Sequence, residues 1–179
     1  TVVFVSHNLR AVSDICSRSL LLDGGVVVED GPTSHVIQTY LSRERAKLEG
    51  PKQGDVAIRA VVMRGKDGER VSFTPGEPAW IDVTFEALRR VEKVAVELDL
   101  HDEGMYMIFS TSSERLGTPA FDLDAGQSVT VTFELTMHLS NGTFHWAIYL
   151  YRYDIRREFD RALPAATFFV STEVDVRGG

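Results

Sequence analysis

From residue 55 to residue 177 apolar and polar positions alternate with a period of two, and that alternation predicts one strand after another. Residues 80–86 set Ile81, Val83 and Phe85 on one side and Trp80, Asp82, Thr84 and Glu86 on the other. Residues 94–101 turn Val94, Val96, Leu98 and Leu100 inward and Glu97, Asp99 and His101 outward. The strictest run is 129–137, with Val129, Val131, Phe133, Leu135 and Met137 against Thr130, Thr132, Glu134 and Thr136. Further strands are predicted over 56–64, 71–74, 106–112, 143–151 and 166–176. Asp67-Gly68, Asp102-Glu103-Gly104 and Asn141-Gly142 are turn signals between them, and Pro75-Gly76-Glu77-Pro78 is a loop. Residues 152–161 mix both signs of charge and read as a loop. Roughly seven or eight strands, each with one apolar face, predict a mainly β fold: a two-sheet antiparallel sandwich of immunoglobulin-like or jelly-roll type.

Ahead of residue 55 the pattern is different. Residues 1–5 are a uniformly apolar strand that runs through Ser6-His7-Asn8 into a helix carrying Leu9, Val12 and Ile15. Leu20-Leu21-Leu22 and Val26-Val27-Val28 flank Gly24-Gly25 as a hairpin, and Gly31-Pro32 opens a second helix. That helix, 33–49, gathers Val36, Ile37, Tyr40, Leu41 and Leu48 on one side, while its second half is charged all round, as suits a solvated connector. Gly50-Pro51 ends it. A strand as apolar as residues 1–5 is the kind buried on both faces of a parallel sheet, and no flanking sheet is encoded here. The chain is therefore expected to start inside another domain. Three parts follow: a partial α/β segment over 1–41, a helical connector over 42–54 and the sandwich over 55–179. Unpaired apolar strands seek partners, so residues 1–30 are expected to pack on the sandwich or on another chain, in a homodimer.

Charge and composition narrow the function. A formal charge of −7 over 179 residues argues against nucleic acid, whose phosphates demand Lys and Arg, and against an anionic membrane surface. No apolar run approaches the roughly 20 residues that span a bilayer, so direct membrane insertion is not expected, and no secretory signal is read. Cys16 is the single cysteine. It allows no intrachain disulfide, which rules out the antibody-type sandwich, and no Cys cluster for zinc. A reducing cytoplasm fits that usage.

Residues 1–41 taken in order carry a resemblance. The apolar strand, Ser6-His7-Asn8, the Gly24-Gly25 hairpin, Val26-Val27-Val28-Glu29-Asp30-Gly31-Pro32 and the helix Ser34-His35-Val36-Ile37-Gln38-Thr39-Tyr40-Leu41 resemble the C-terminal end of an ABC-transporter ATPase of the polysaccharide-export group. The resemblance implies that His7 is the switch histidine that contacts the γ-phosphate. The G-x-x-x-x-G-K-[ST] phosphate loop and the Leu-Ser-Gly-Gly signature do not occur in the chain. Phosphoryl transfer needs those parts together, so no catalytic residue is assigned and ATP hydrolysis is not expected of these residues alone. ATP and magnesium are implied for the parent protein, not for this chain.

A second resemblance covers the rest. Pro75-Gly76-Glu77 ahead of Trp80-Ile81-Asp82-Val83 is followed by Val96-Glu97-Leu98-Asp99-Leu100-His101-Asp102-Glu103-Gly104 and Ile108-Phe109-Ser110-Thr111-Ser112. Asn141-Gly142-Thr143-Phe144 and Ala166-Thr167-Phe168-Phe169-Val170 complete the order. This is similar to the carbohydrate-binding C-terminal domain of Wzt type on the ATPase subunit of O-antigen exporters, with Ser110-Thr111-Ser112 where that family usually carries Asn-Thr. The resemblance implies a non-enzymatic module that binds the growing polysaccharide, often near its modified terminus, and couples its completion to export. It further implies a transmembrane permease as partner through the parent protein, a homodimer, and a place at the cytoplasmic face of the membrane. The rival readings are a dimerisation or docking domain without a ligand, and the equivalent domain of a teichoic-acid exporter.

The residues suggest where a sugar would sit. Pyranose rings offer an apolar C–H face and a rim of hydroxyls, which suit aromatic faces and carboxylate or imidazole groups. On strand 143–151, Phe144, Trp146, Ile148 and Leu150 read as core, leaving His145, Tyr149 and Tyr151, with Tyr153 if the strand continues, on the other side. Strands 94–101 and 166–176 are the expected neighbours; the first adds Glu97, Asp99 and His101, the second Phe169, Ser171 and Glu173. The candidate glycan site is His145, Tyr149, Tyr151, Glu97, Asp99 and His101. The alternative is that Tyr149 and Tyr151 pack against the first segment, the connector helix or a second subunit. Trp80, Asp82 and Glu86 form a lesser platform, and Asp99, His101, Asp102 and His145 are a possible but unassigned set of metal ligands. Glu97 and Asp99, roughly 7 Å apart along one strand face, resemble a glycosidase pair only in spacing.

Overall fold

A computed structural model describes residues 3–6, 9–48 and 54–172. Helix α1 (Leu9–Ile15) is followed by the hairpin β1 (Arg18–Asp23) and β2 (Val26–Pro32) and by helix α2 (Thr33–Leu48). Gly24 and Gly25 close that hairpin at φ +58° and +82°, a region that costs a residue with a Cβ. Of the expected strand 1–5, residues 3–5 form none, and residues 1 and 2 lie outside the described residues. No described strand pairs with them, and a β-strand needs a neighbouring strand for its ladder of backbone hydrogen bonds.

The strands from residue 56 onward form the two sheets that the alternation predicts. They are β3 (Val56–Gly65), β4 (Gly68–Glu69), β5 (Ser72–Phe73), β6 (Pro78–Ala87), β7 (Val91–Asp102), β8 (Met107–Ser112), β9 (Phe121–Leu123), β10 (Ser128–Thr136), β11 (Gly142–Arg152) and β12 (Arg157–Val170). One sheet runs β10-β6-β3-β4; the other runs β5-β12-β11-β7-β8, with β9 also on β7. The core fills the space between the sheets. Ile81, Val83 and Phe85 from β6 face Val94, Val96 and Leu98 from β7 and Trp146, Ile148 and Leu150 from β11. Phe168 of β12 joins the aromatic residues, stacked on Trp146 at 5.8 Å and on Phe144 at 5.6 Å between centroids, with Phe73 edge-on at 6.0 Å.

Three departures from the sequence reading have physical causes. The Asp67-Gly68 turn pairs Arg64 with Glu69, yet the chain then crosses to the other sheet, where Ser72 and Phe73 run parallel to Phe169 and Val170. Val71 and Phe73 bury into different clusters, Val71 beneath α2 and Phe73 between the sheets. Residues 152–161 are not a loop: after a turn, β12 starts at Arg157 and pairs with β11. Their charges hide the strand because they serve as cross-links: Lys93 and Arg152 to Asp154, Arg156 to Glu97, and Arg157 to Asp55. The third departure is β9, whose three residues are too short to show a period.

Helix α2 seats on the sandwich. Ile37 packs with Val71 and Phe169 in a separate cluster that Leu9 and Leu41 border. The Ser13 and Ser72 hydroxyls lie 2.6 Å apart, tying α1 to β5. Part of the 1–30 segment thus packs on the sandwich as expected, but Leu20, Leu22, Val26 and Val27 of the hairpin remain exposed. No helix among the described residues is long and apolar enough to cross a membrane.

Candidate functional site

Strand β11 lies between β12 and β7, so each of its outward side chains has a neighbour on both sides. Strict alternation sends Phe144, Trp146, Ile148 and Leu150 into the core, at 6% exposure or less. The outward row is His145, Ala147, Tyr149 and Tyr151. His145 stands opposite His101 and Thr167, Ala147 opposite Asp99, and Tyr149 opposite Glu97 and Arg161. The six predicted residues therefore share the outer face of two adjacent strands.

Their environments differ. His145 is half-buried, with Nδ1 2.9 Å from the Thr167 hydroxyl. Burial, reinforced by His101, holds its pKa below the usual 6.5 against the pull of Glu103 and Asp102, so the ring is neutral near pH 7. Tyr149 is partly buried, and burial followed by the charge of Asp99 raises its phenol above the ordinary value, keeping it a hydrogen-bond donor. Glu97 accepts a hydrogen bond from the Arg156 guanidinium at 3.0 Å.

Tyr151, Asp99 and His101 need correction: all three were expected to be exposed, and all are buried. Tyr151 is 5% exposed. Its hydroxyl donates to the Glu114 carboxylate at 3.0 Å, and the Arg156 guanidinium lies 4.5 Å over its ring. A sugar has no access to that ring while Arg156 covers it. Asp99 and His101 are 7% and 9% exposed, and Asp99 Oδ1 and His101 Nδ1 have no hydrogen-bond partner among the described residues. The residue opposite Asp99 is only Ala147, while the diagonal neighbours His145 and Tyr149 are long enough to reach over it. Of the other outward candidates, Phe169 is buried against α2, Tyr153 is exposed in the turn before β12, and Glu173 lies outside the described residues. His7 lies outside them too.

Glu114, Arg156 and Thr167 are site residues that sequence reasoning missed. Thr167 was legible, since it alternates with the buried Phe168 on the expected neighbour strand. Glu114 arrives from a turn 37 residues away from Tyr151 and Arg156 from the turn directly after β11, and no local pattern signals either contact. The Trp80 platform is internally paired: Arg64 lies 5.2 Å over the Trp80 ring, and Asp82 accepts from Arg64 and Thr132, each at 2.7 Å. Partial burial alone would raise the Asp82 carboxyl; those two donors hold it below its usual range. Among the described residues no group of three or more His, Cys, Asp or Glu is placed to hold a metal ion.

The rim of this sheet carries a different surface. Met107, Ile108 and Phe109 of β8 are about half exposed, and Met105 and Tyr106 lead into them. Inside this edge, an apolar cavity of about 350 Å³ is lined by Leu100, Ile108, Phe109, Leu135, Met137 and Trp146, among others.

Comparison with known proteins gives a family. The family model of the Wzt C-terminal domain matches residues 49–178. The crystal structure of the C-terminal domain of Wzt superposes with a TM-score of 0.63 at 14% identity, covering 72% of this chain and 80% of that one. Two weaker similarities are to the Pseudomonas fluorescens alkylpurine DNA glycosylase AlkC bound to DNA (TM-score 0.46, 12% identity, 76% of this chain and 35% of that one) and to Bacteroides uniformis β-glucuronidase (0.45, 8%, 60% and 14%). No curated protein matches in sequence.

Proposed function

Because the chain belongs to the Wzt C-terminal domain family, we propose that it is the glycan-recognition module of an O-antigen-type polysaccharide ABC exporter, binding the polysaccharide and coupling it to export. The observation that carries this reading is the outer face of β11 and β7. It sets one half-buried aromatic ring, Tyr149, beside a neutral imidazole, His145, and beside Asp99 and His101, each with one buried polar atom, Oδ1 and Nδ1, that lacks a partner among the described residues. Leaving buried polar groups unsatisfied is costly, and a ligand hydroxyl supplies what is missing. Tyr149 offers the apolar C–H face of a sugar its ring, while Glu97 and His101 reach its rim. Tyr151 acts at one remove, holding Glu114 and Arg156 in place.

The reading assigns no catalysis to this chain. Residues 1–41 are the end of the ATPase domain, ATP and magnesium belong to the parent subunit, and His7 is the one residue here that would meet the γ-phosphate. The permease is contacted through that domain, at the cytoplasmic face of the membrane. A single shallow sugar site supports millimolar to sub-millimolar affinity, about −4 to −5 kcal/mol. Two chains per exporter, as a homodimer, raise the apparent affinity by linkage. The experiment is an NMR titration of the chain with polysaccharide fragments. Shift changes at His145 and Tyr149 support the reading; saturating polysaccharide without change on this face refutes it.

A second reading, a dimerisation or docking domain without a ligand, is favoured by β8. Residues 105–113 contain no Lys, Arg, Asp, Glu or Pro, and an apolar edge without such guards invites pairing with another strand. Sedimentation of the chain with and without Ile108→Lys tests it.

A further inference from the structure

The glycan face is acidic where it is deepest. Asp99 lies between Ala147 on β11 and Ser110 on β8, buried, with Oδ1 unpartnered. On the same face of β7, His101 is equally buried and its Nδ1 is unpartnered. A carboxyl oxygen accepts hydrogen bonds, so the group that completes Asp99 Oδ1 is a donor. Carboxylates outnumber the guanidiniums around it, with Arg161 opposing Asp99, Glu158 and Glu97 at the Tyr149 phenol. Glu97 and Glu158 act with Asp99 on the Tyr149 phenol, and Asp102 and Glu103 act on His145 at the other end of the row. The two nearby guanidiniums are already engaged: Arg156 lies 3.0 Å from Glu97 and over Tyr151, and Arg161 lies 3.7 Å from Glu158.

Resting on the glycan reading above, we infer that this face takes sugar residues that are neutral or carry an ammonium group and rejects those carrying a carboxylate or phosphate, with Asp99 as the specificity-determining acceptor. Sugar hydroxyls and the ammonium of an amino sugar donate to Asp99. A uronic acid or phosphorylated sugar has its anionic group facing like charge in a site partly shielded from water, which weakens binding and slows encounter. Screening by salt acts on this repulsion and leaves the stacking on Tyr149 unchanged.

The test is an NMR titration of the whole chain with three size-matched oligosaccharides: a neutral manno-oligosaccharide, a chitosan oligosaccharide and an oligogalacturonate, each at low and high salt. Resonances of His145 and Tyr149 are followed. The neutral and amino oligosaccharides are expected to bind about tenfold or more tightly than the galacturonate at low salt. The gap narrows as salt rises and shrinks in Asp99→Asn, a near-isosteric change whose folding is checked by its thermal midpoint. Galacturonate binding at the same resonances as tightly as the neutral oligosaccharide overturns the selectivity and leaves the glycan reading standing. An unchanged preference in folded Asp99→Asn overturns the role of Asp99. Absence of shifts with all three overturns this inference, and the glycan reading falls with it only if the exporter's own polysaccharide also leaves this face unchanged.

Discussion

Replacing Tyr151 with Phe separates a structural tyrosine from a sugar-contacting one. The substitution keeps the ring beneath Arg156 and removes one hydroxyl, whose hydrogen bonds to the two Glu114 oxygens are 3.1 and 3.0 Å long. A hydrogen bond to a charged acceptor contributes about 1.5–3 kcal/mol when well buried. Glu114 is only partly buried, which places the expected loss at about 1–2 kcal/mol. In a chain of this size that lowers the thermal midpoint by about 3–6 °C. The pH dependence gives an independent check. Burial first, with Glu114 also contributing, raises the Tyr151 phenol above its usual 10.0. The folded state thus favours the protonated phenol; its stabilisation is complete below pH 10.0 and is lost as pH rises through the folded value. Tyr151→Phe should therefore be less stable than the parent at neutral pH and should lose less on going alkaline. Differential scanning calorimetry from pH 7 to pH 11, with Glu114→Gln completing a double-mutant cycle, measures both; a coupling energy of about 1 kcal/mol is expected. A variant that melts with the parent and shows no coupling refutes the buried pair. A variant that is fully stable but loses glycan binding returns Tyr151 to the role that the sequence suggested.

Two further outcomes follow from the same geometry. Trp146→Ala removes a side chain that is 2% exposed and stacked on Phe168, and should cost about 3–5 kcal/mol in urea unfolding; a loss under ~1 kcal/mol would mean the core is packed differently. The imidazole of His145 should titrate below 6.5 in an NMR pH series, and because its folded pKa is lowered it stabilises the fold above pH 6.5 and loses that contribution as pH falls; a midpoint at or above 6.5 contradicts its burial.

The sandwich was legible because its strands obey one rule. β6 and β10 alternate without a break, and their inward residues, from Ile81 to Phe133, are the core. The order β12-β11-β7 was readable too, so the six candidate residues fell on one face. Burial was not readable. Alternation tells which face a side chain occupies, but not what covers that face. Tyr151 is covered by Glu114 and Arg156 and Phe169 by Ile37; Glu114 and Ile37 are many residues away, and Arg156 folds back from the turn after β11. The start of β12 was missed for a related reason. Its charged residues pair across the surface with Asp55, through Arg157, and within the strand, Arg161 with Glu158, so charge masks the apolar face by which the other strands announce themselves.

The central claim is that the outer face of β11 and β7 binds a glycan. Its most direct test is an NMR and calorimetric titration of the chain and of Tyr149→Ala with the polysaccharide of the source organism. The reading predicts saturable binding with shifts at His145, Tyr149 and Glu97, and a loss of about 0.5–1.5 kcal/mol in Tyr149→Ala, roughly two- to tenfold in affinity, with the fold intact. Saturable binding that maps instead to the Trp80 face or the β8 edge, and that Tyr149→Ala leaves unchanged, contradicts it.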